Sequence, residues 1–346
     1  MKIALLNLPY DNNYGGNLQR YALMKVLTDM GHEVTYIKWC HNFRKPWYIT
    51  LVYIIMRIIK NNVRCKKTTV LYEYYAHKKY LDDCKKTDVF LNRYIRHTDD
   101  IYTKNAFRYY AKGYDAYIVG SDQIWRKKYA SSWLSLMFLD FVSSNEKVKR
   151  LAYAVSFGDN KKELTSREIK KLDKLYKLFD GVSIREDSAS ILLDEYGWTI
   201  PKPCHVLDPT LLLRLEDYNI LIDAGNTTPL LGKLACYILD PTPEKESYIE
   251  QKAREMNTIP HKVYLTIGQQ PSVEQWLRMF RDSEFIVTDS YHGYLFSIIY
   301  NKPCHLFLNE KRGNARFDSL NRIIDKLQEM REGSIRFIQK GLEKQG

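Results

Sequence analysis

Lys2-Ile3-Ala4-Leu5-Leu6-Asn7-Leu8, then Asp11-Asn12-Asn13-Tyr14-Gly15-Gly16-Asn17, then Val34-Thr35-Tyr36-Ile37 form the opening of the chain. The first run is short and apolar, as in a strand buried on both faces. The second is a polar, glycine-bearing loop. Between the loop and the third run, Leu18, Tyr21, Ala22, Met24, Lys25 and Leu27 recur at helical spacing up to Gly31, a helix-stop residue. A β–loop–α–β opening of this kind begins a doubly wound sheet, in which ligands sit beyond the carboxyl ends of the strands.

Alternation resumes after an atypical stretch. Residues 44–110 are rich in Tyr, Lys and helical-looking segments and read as an inserted helical region. Beyond it, strands are expected at Tyr114–Val119, Arg150–Val155 and Gly181–Ile184, with helices at Ser166–Leu178 and Asp187–Tyr196. The prolines of 201–209 mark a change of composition. Domains are therefore expected at 1–204 and 205–346. The second carries strands at Lys233–Leu239, Lys262–Thr266, Phe285–Thr288 and His305–Leu308, with helices at Glu244–Met256, Val273–Phe280, Tyr291–Tyr300 and a last one at Leu320–Met330. The expected fold class is α/β, two Rossmann-like domains facing a cleft in a GT-B-like manner.

At 346 residues, 45% apolar and 27% charged, the chain has the balance of a folded two-domain protein. Its 53 Lys and Arg against 41 Asp and Glu leave a net charge of +12, which favours anionic ligands. The charges are scattered and no zinc-finger, RNP or basic-zipper pattern occurs, so nucleic acid is not an expected partner. Cys40, Cys65, Cys84, Cys204, Cys236 and Cys304 lack metal or redox spacing. Asn7, Pro9 and Asp11 interrupt the first apolar run too early for a signal peptide. A reducing, cytoplasmic setting is expected.

Phe285-Ile286-Val287-Thr288-Asp289-Ser290-Tyr291-His292-Gly293 carries the most chemistry. Ser290 can cap the helix that follows the strand, which puts His292 in its first turn. A helix N-terminus attracts a phosphate or carboxylate and disfavours imidazolium, so His292 would be neutral near pH 7. The same pattern also serves a plain helix cap with a His packed on the sheet.

The segment Thr288-Asp289-Ser290-Tyr291-His292-Gly293 resembles the hallmark of the polysaccharide pyruvyltransferase family. Asn13-Tyr14-Gly15-Gly16-Asn17-Leu18-Gln19-Arg20-Tyr21-Ala22-Leu23 resembles its opening loop and helix. Val119-Gly120-Ser121-Asp122-Gln123-Ile124-Trp125, Ser183-Ile184-Arg185-Glu186 and Leu207-Asp208-Pro209-Thr210 resemble further motifs, in family order. The resemblance implies transfer of a pyruvyl group from phosphoenolpyruvate to a sugar of a cell-surface polysaccharide precursor, with a ketal formed and phosphate released. Phosphoenolpyruvate is then a substrate, and neither a cofactor nor a metal is implied. His292 would be the proton donor or a phosphate contact, and Asp122 the base for the acceptor hydroxyl. Arg185, Ser290, Asp289 and Arg316 would form the donor site, and Asn13, Gly15, Gly16, Asn17 and Gln19 the acceptor site. One departure is plain: family members often carry Arg where this chain has Ser290. The basic run Lys311-Arg312-Gly313-Asn314-Ala315-Arg316 is a substitute source of charge.

Two other readings use the same fold: a glycosyltransferase acting on a nucleotide sugar, and a non-catalytic relative in polysaccharide assembly. Finally, Trp47 to Ile59 is apolar with aromatic and basic flanks, yet too short to span a bilayer, which takes about 20 residues. It fits a helix lying on the inner face of a membrane, where a lipid-linked acceptor would be met. It also fits a helix buried in the insertion or at a subunit contact.

Overall fold

The computed structural model describes residues 1–43, 46–64, 68–158, 161–264, 270–308 and 315–343. Strand β1 (Lys2–Leu6) leads through the polar loop into α1 (Tyr14–Asp29) and β2 (Glu33–Tyr36). The inserted region supplies α2 (Trp47–Arg64), α3 (Tyr72–Tyr94) and α4 (Lys104–Tyr110). Next come β3 (Ala116–Val119), the short α5 (Lys127–Ala130), β4 (Lys149–Val155), α6 (Ser166–Tyr176), β5 (Gly181–Ile184), α7 (Asp187–Glu195) and β6 (Cys204–His205). These six strands form one parallel sheet in the order β2-β1-β3-β4-β5-β6.

Helix α8 (Leu215–Ala224) leads to the second sheet. It consists of β7 (Leu234–Ile238), α9 (Pro243–Glu255), β8 (Pro260–Tyr264), α10 (Val273–Asp282), β9 (Phe285–Thr288), α11 (Tyr291–Ile299) and β10 (Cys304–Leu306). Its four strands are also parallel, in the order β10-β9-β7-β8. Helices α12 (Ala315–Ile323) and α13 (Leu327–Leu342) end the described chain. The molecule is thus an α/β protein of two Rossmann-like sheets facing a cleft.

The strands read as near-continuous apolar runs because helices cover both faces. All of Ile3 to Leu6 and all of Ala116 to Val119 are buried. Most element ends lie within two residues of the sequence expectation, and the differences have local causes. Strand β1 stops at Leu6 because Asn7 turns inward, donating from its amide to the Gly120 carbonyl and accepting from the Trp39 indole at 2.7 Å. Strand β8 starts at Pro260, a position where no ladder N–H is needed, and Thr266 lies outside the described residues. The single last helix expected at Leu320–Met330 is instead two helices joined by a 3₁₀ turn at Ile324–Lys326. Residue 204, the expected end of the first domain, begins β6, and α13 returns to pack on β4 of the first sheet.

The inserted helices are tied to the sheet edge by bridges from Tyr36 to His97 and from Trp39 to Ile101. One core cluster runs from Ile3 and Leu18 through Val206 to Trp276 and Ile286, so the sheets share a packed seam. At its centre the Tyr14 ring stacks on Trp276 at 5.3 Å and its hydroxyl donates to the Pro271 carbonyl at 2.8 Å. The start of α1 is thereby pinned to the second sheet.

Candidate active site

In each sheet the strand order reverses once, between β1 and β3 and between β7 and β9. Loops leaving adjacent strands in opposite directions open a crevice at such points. Both crevices here give onto one cavity of about 240 Å³. Asp11 and Asn13 line it after β1, Asp122 after β3, Leu239 after β7, and Asp289 to His292 after β9; Arg316 of α12 completes the wall. A larger shallow hollow of about 660 Å³, around Lys25, His32 and Arg96, is lined by none of the candidate site residues.

The β9–α11 turn is held rigidly. Ser290 caps α11, its Oγ accepting from the Gly293 N–H at 3.3 Å. Asp289 accepts from the Leu239 and Asp240 N–H groups at 2.6 and 3.0 Å and from Lys245 Nζ at 2.6 Å. Expected as a donor contact, the Asp289 carboxylate is instead saturated by the turn it organises. Ser290 and the rest of the first helical turn line the cavity.

His292 is buried, and its Nε2 has no hydrogen-bond partner, the nearest carboxylate oxygen being Asp208 Oδ2 at 3.8 Å. Burial pushes the imidazole down to about 4; Arg185 and Arg316 add to this, against Asp208 and Asp122. The ring lies on the backbone of Gly15, where a Cβ would fall onto Nδ1 and Cγ. This explains the glycine at position 15, which the structure places in the first turn of α1 rather than in the loop, without invoking a ligand. Gly15→Ala is expected to dislodge the imidazole and lower activity about a hundredfold. Parallel circular dichroism and steady-state rates check this; an active, folded Gly15→Ala protein would refute the contact.

Beneath His292 lies a buried charge network. The Arg185 guanidinium donates from Nη1 to Asp208 Oδ2 at 2.7 Å and from Nη2 to Asp122 Oδ1 at 2.9 Å. It lies 4.8 Å from the Tyr291 ring centroid, and Arg316 lies 5.0 Å from the same ring. Arg316 Nη1 is 3.6 Å from Asp122 Oδ1. Burial works to raise the Asp122 carboxyl, but Arg185 and Arg316 outweigh it and hold it down at about 2. Asp122 occupies a left-handed backbone conformation, φ 65°, which Asp tolerates better than most residues. Asp208 also accepts from Gln19 Nε2 at 2.6 Å and, through Oδ1, from Thr210 N and Oγ1 at 3.0 and 2.8 Å. Its carboxyl is lowered too: burial would raise it, and Arg185 and His292 prevail.

These contacts revise several sequence expectations. Arg185 does not reach the cavity as a free fork; it is enclosed between two carboxylates, with its side chain 1% exposed. Gln19 points into the same network. Asn17 is turned into the loop, donating to the Asp11 and Asn13 carbonyls at 3.1 and 3.0 Å and accepting from Arg20 at 2.8 Å. Neither faces the cavity as an acceptor contact would. Asn13 does line it, while capping α1 through the Gly16 N–H at 3.2 Å. Arg316 sits on the cavity wall, whereas Lys311 to Asn314 lie outside the described residues.

Three participants were not singled out as site residues in the sequence. Asp208 was read only as part of a motif, although Asp-Pro-Thr is a turn signature that ties down a carboxylate. Glu186 is buried and accepts from Ser156 Oγ and from the Phe157 and Gly158 N–H groups at 2.9, 2.7 and 3.0 Å, fixing the β4 end beside Arg185. Asp11 is half-buried on the cavity wall; burial raises its carboxyl pKa, against the pull of Arg20.

The shifted groups make stability depend on pH with a definite sign. His292 titrates near 6.5 when unfolded and about 4 when folded, so the unfolded chain binds more protons between those values. Stability is therefore full above about pH 6.5 and declines as pH falls to about 4. Asp122, lowered from 3.8 to about 2, adds a further loss below that window. The His292 contribution is on the order of 3 kcal/mol. Unfolding free energies from urea titrations should fall between pH 7 and 4.5 by about that much more for the wild type than for His292→Asn, and parallel curves would contradict it.

The geometry can be set beside known proteins. The family model described as polysaccharide pyruvyl transferase matches residues 13–311. No curated protein sequence matches the chain. Among solved structures, a UDP-GlcNAc 2-epimerase from Neisseria meningitidis bound to UDP-GlcNAc is similar with a TM-score of 0.46 and 11% identity, covering 99% of this chain and 99% of that one. An alpha-glucosyltransferase in complex with UDP gives 0.46 and 9%, covering 99% and 96%. The wall teichoic acid polymerase TagF gives 0.44 and 8%, covering 98% and 82%. Likenesses this weak add nothing to what the two sheets already establish. The family match takes in nine of the ten strands, β2 to β10, together with Gln19, Asp122, Arg185, Asp208 and His292, and by it the chain belongs to the polysaccharide pyruvyl transferase family.

Proposed function

We propose that the cleft transfers the enolpyruvyl unit of phosphoenolpyruvate to two hydroxyls of one sugar in a cell-surface polysaccharide precursor, in the cytoplasm. The observation that carries this reading is the neutral, buried His292 with an unpartnered Nε2 beside two guanidiniums, in the cavity both sheets share. That combination suits an anionic donor whose reaction consists mainly of proton transfers.

The chemistry balances as follows. Protonation of the donor's methylene carbon makes a methyl group and an electrophilic C2. The first sugar hydroxyl adds to C2 and gives up its proton, and the C2–O bond to phosphate breaks. The second hydroxyl adds and closes the ketal, and the phosphate departs with one proton. Of the two hydroxyl protons, one ends on the methyl carbon and one on phosphate.

His292, neutral before substrate binds, takes the first hydroxyl proton and returns it to the departing phosphate. A donor with three negative charges opposes the effect of burial on the imidazole, so proton uptake becomes easier once it is bound. Asp11, whose carboxyl is raised by burial, protonates the methylene carbon and recovers its proton from the second hydroxyl. Asp122, held ionised by two arginines, is too weak a base for the role first expected of it. It orients Arg316, which takes the charge position that Ser290 leaves open. Arg185 is a positioning residue that supplies positive potential from below.

A reaction run in deuterium oxide tests this. The ketal methyl should acquire one deuterium by carbon-13 NMR of the product, with stoichiometric phosphate. Turnover of a sugar nucleotide with release of nucleotide, and no consumption of phosphoenolpyruvate, would replace the reading with glycosyl transfer.

A further inference from the structure

Helix α2 does not behave as a core element. Along Trp47–Asn61 no side chain is buried. The side facing the protein holds Thr50, Ile54, Arg57 and Asn61, spaced to share one face. There Arg57 forks onto Glu73 of α3 at 2.6 and 2.8 Å, and Asn61 hydrogen-bonds Thr68 at 2.8 and 2.7 Å. These polar contacts fix the roll of the helix. The opposite face presents Tyr48, Leu51, Val52, Ile55, Met56 and Ile59, each 48 to 58% exposed. Leaving such a face in water is unfavourable, so something covers it.

We infer that this face docks α2 flat on an anionic lipid surface. Three observations choose lipid over other covers. First, the sequence from 34 to 72 holds no acidic residue, so apart from the Glu73 that pairs with Arg57 the charges in and next to the helix in sequence are basic: Arg44, Lys45, Lys60, Arg64, Lys66 and Lys67. Secondly, exposed aromatic residues stand at the start of α2 and of its partner α3: Trp47 is 78% exposed, and Tyr74 and Tyr75 are 64 and 54% exposed. Aromatic rings and lysines around an apolar stripe are the arrangement that lies at a headgroup boundary. Thirdly, a second copy would bring the same basic flanks together in a chain already carrying +12, which opposes pairing. No helix among the described residues is long and apolar enough to cross a membrane, so contact is in the plane. The assignment stands independently of the reaction carried out in the cleft.

Flotation of the full chain with vesicles of phosphatidylcholine alone or enriched in phosphatidylglycerol tests it, beside the double variant Leu51→Glu/Ile55→Glu. Both positions are exposed, so the variant should keep its circular dichroism and thermal midpoint. The wild type should float with the anionic vesicles, and more weakly with phosphatidylcholine alone or in high salt. The variant should bind at least about tenfold more weakly. A wild type that stays in the soluble fraction with anionic vesicles at low salt overturns the inference. So does a wild-type dimer that the same variant converts to monomer without any change in lipid binding, since α2 would then be covered by a second copy.

Discussion

Replacing His292 with alanine should lower acceptor-dependent phosphate release about a hundred- to ten-thousandfold, the range for loss of a positioned acid–base group. The size of the effect follows from the surroundings. No other imidazole lines the cavity among the described residues, and Asp122 cannot substitute because two arginines hold its carboxyl at about 2. The fold should survive, since the helix is capped by Ser290 and the strand end is tied by Asp289 to Lys245. Removing the buried imidazole also removes a group that resists protonation, so the variant should lose less stability in mild acid than the wild type. A KM for phosphoenolpyruvate that changes little while kcat collapses would place the defect in proton transfer. A rise in KM with kcat preserved would make His292 a binding residue instead.

Arg185→Met should be costly in a different way. It removes the cation from between Asp122 and Asp208, whose side chains are 19% and 0% exposed. Breaking one side of a buried pair costs about 3–5 kcal/mol, because the remaining charge stays desolvated. Two carboxylates share this cation, so the loss should sit at the upper end. The pH dependence carries the diagnostic sign. In the wild type Asp208 is lowered by Arg185; without it burial prevails, and both carboxyl pKa values rise. The variant's deficit should therefore be greatest near neutral pH and shrink as the carboxylates take up protons in mild acid. Arg185→Met combined with Asp208→Asn should recover part of the stability, while activity stays low. If the single variant is as stable as the wild type, the network is ornamental and Arg185 is free to bind a donor.

Much of the sheet architecture was legible because buried parallel strands announce themselves locally. Ile286-Val287-Thr288 and Ile118-Val119 are apolar runs that end in Asp or Gly, and their ends were close to those observed. The Ser290 cap follows from local helix chemistry; His292 is neutral as expected, but burial rather than the helix terminus is the main cause. What the residues could not reveal alone was convergence. Gln19 meets Asp208 across 189 positions, and Gly15 meets His292 from the opposite end of the chain. Nothing in the periodicity around Asn17 or Gln19 distinguishes a side chain that faces a sugar from one that supports a carboxylate. Arg185 raised the same difficulty: a strand-end guanidinium suits an anion clamp and a buried ion pair equally, and only its neighbours decide. The exposed face of α2 was ambiguous for a related reason, since an apolar stripe reads identically whether protein or lipid covers it.

The most direct test of pyruvyl transfer is phosphate release from phosphoenolpyruvate with a panel of hexosides, measured beside nucleotide release from common sugar nucleotides. The expected result is phosphate formed only when acceptor is present, matched by cyclic ketal, and abolished by His292→Ala. Nucleotide released from a sugar nucleotide, with phosphoenolpyruvate untouched by every acceptor, would contradict it.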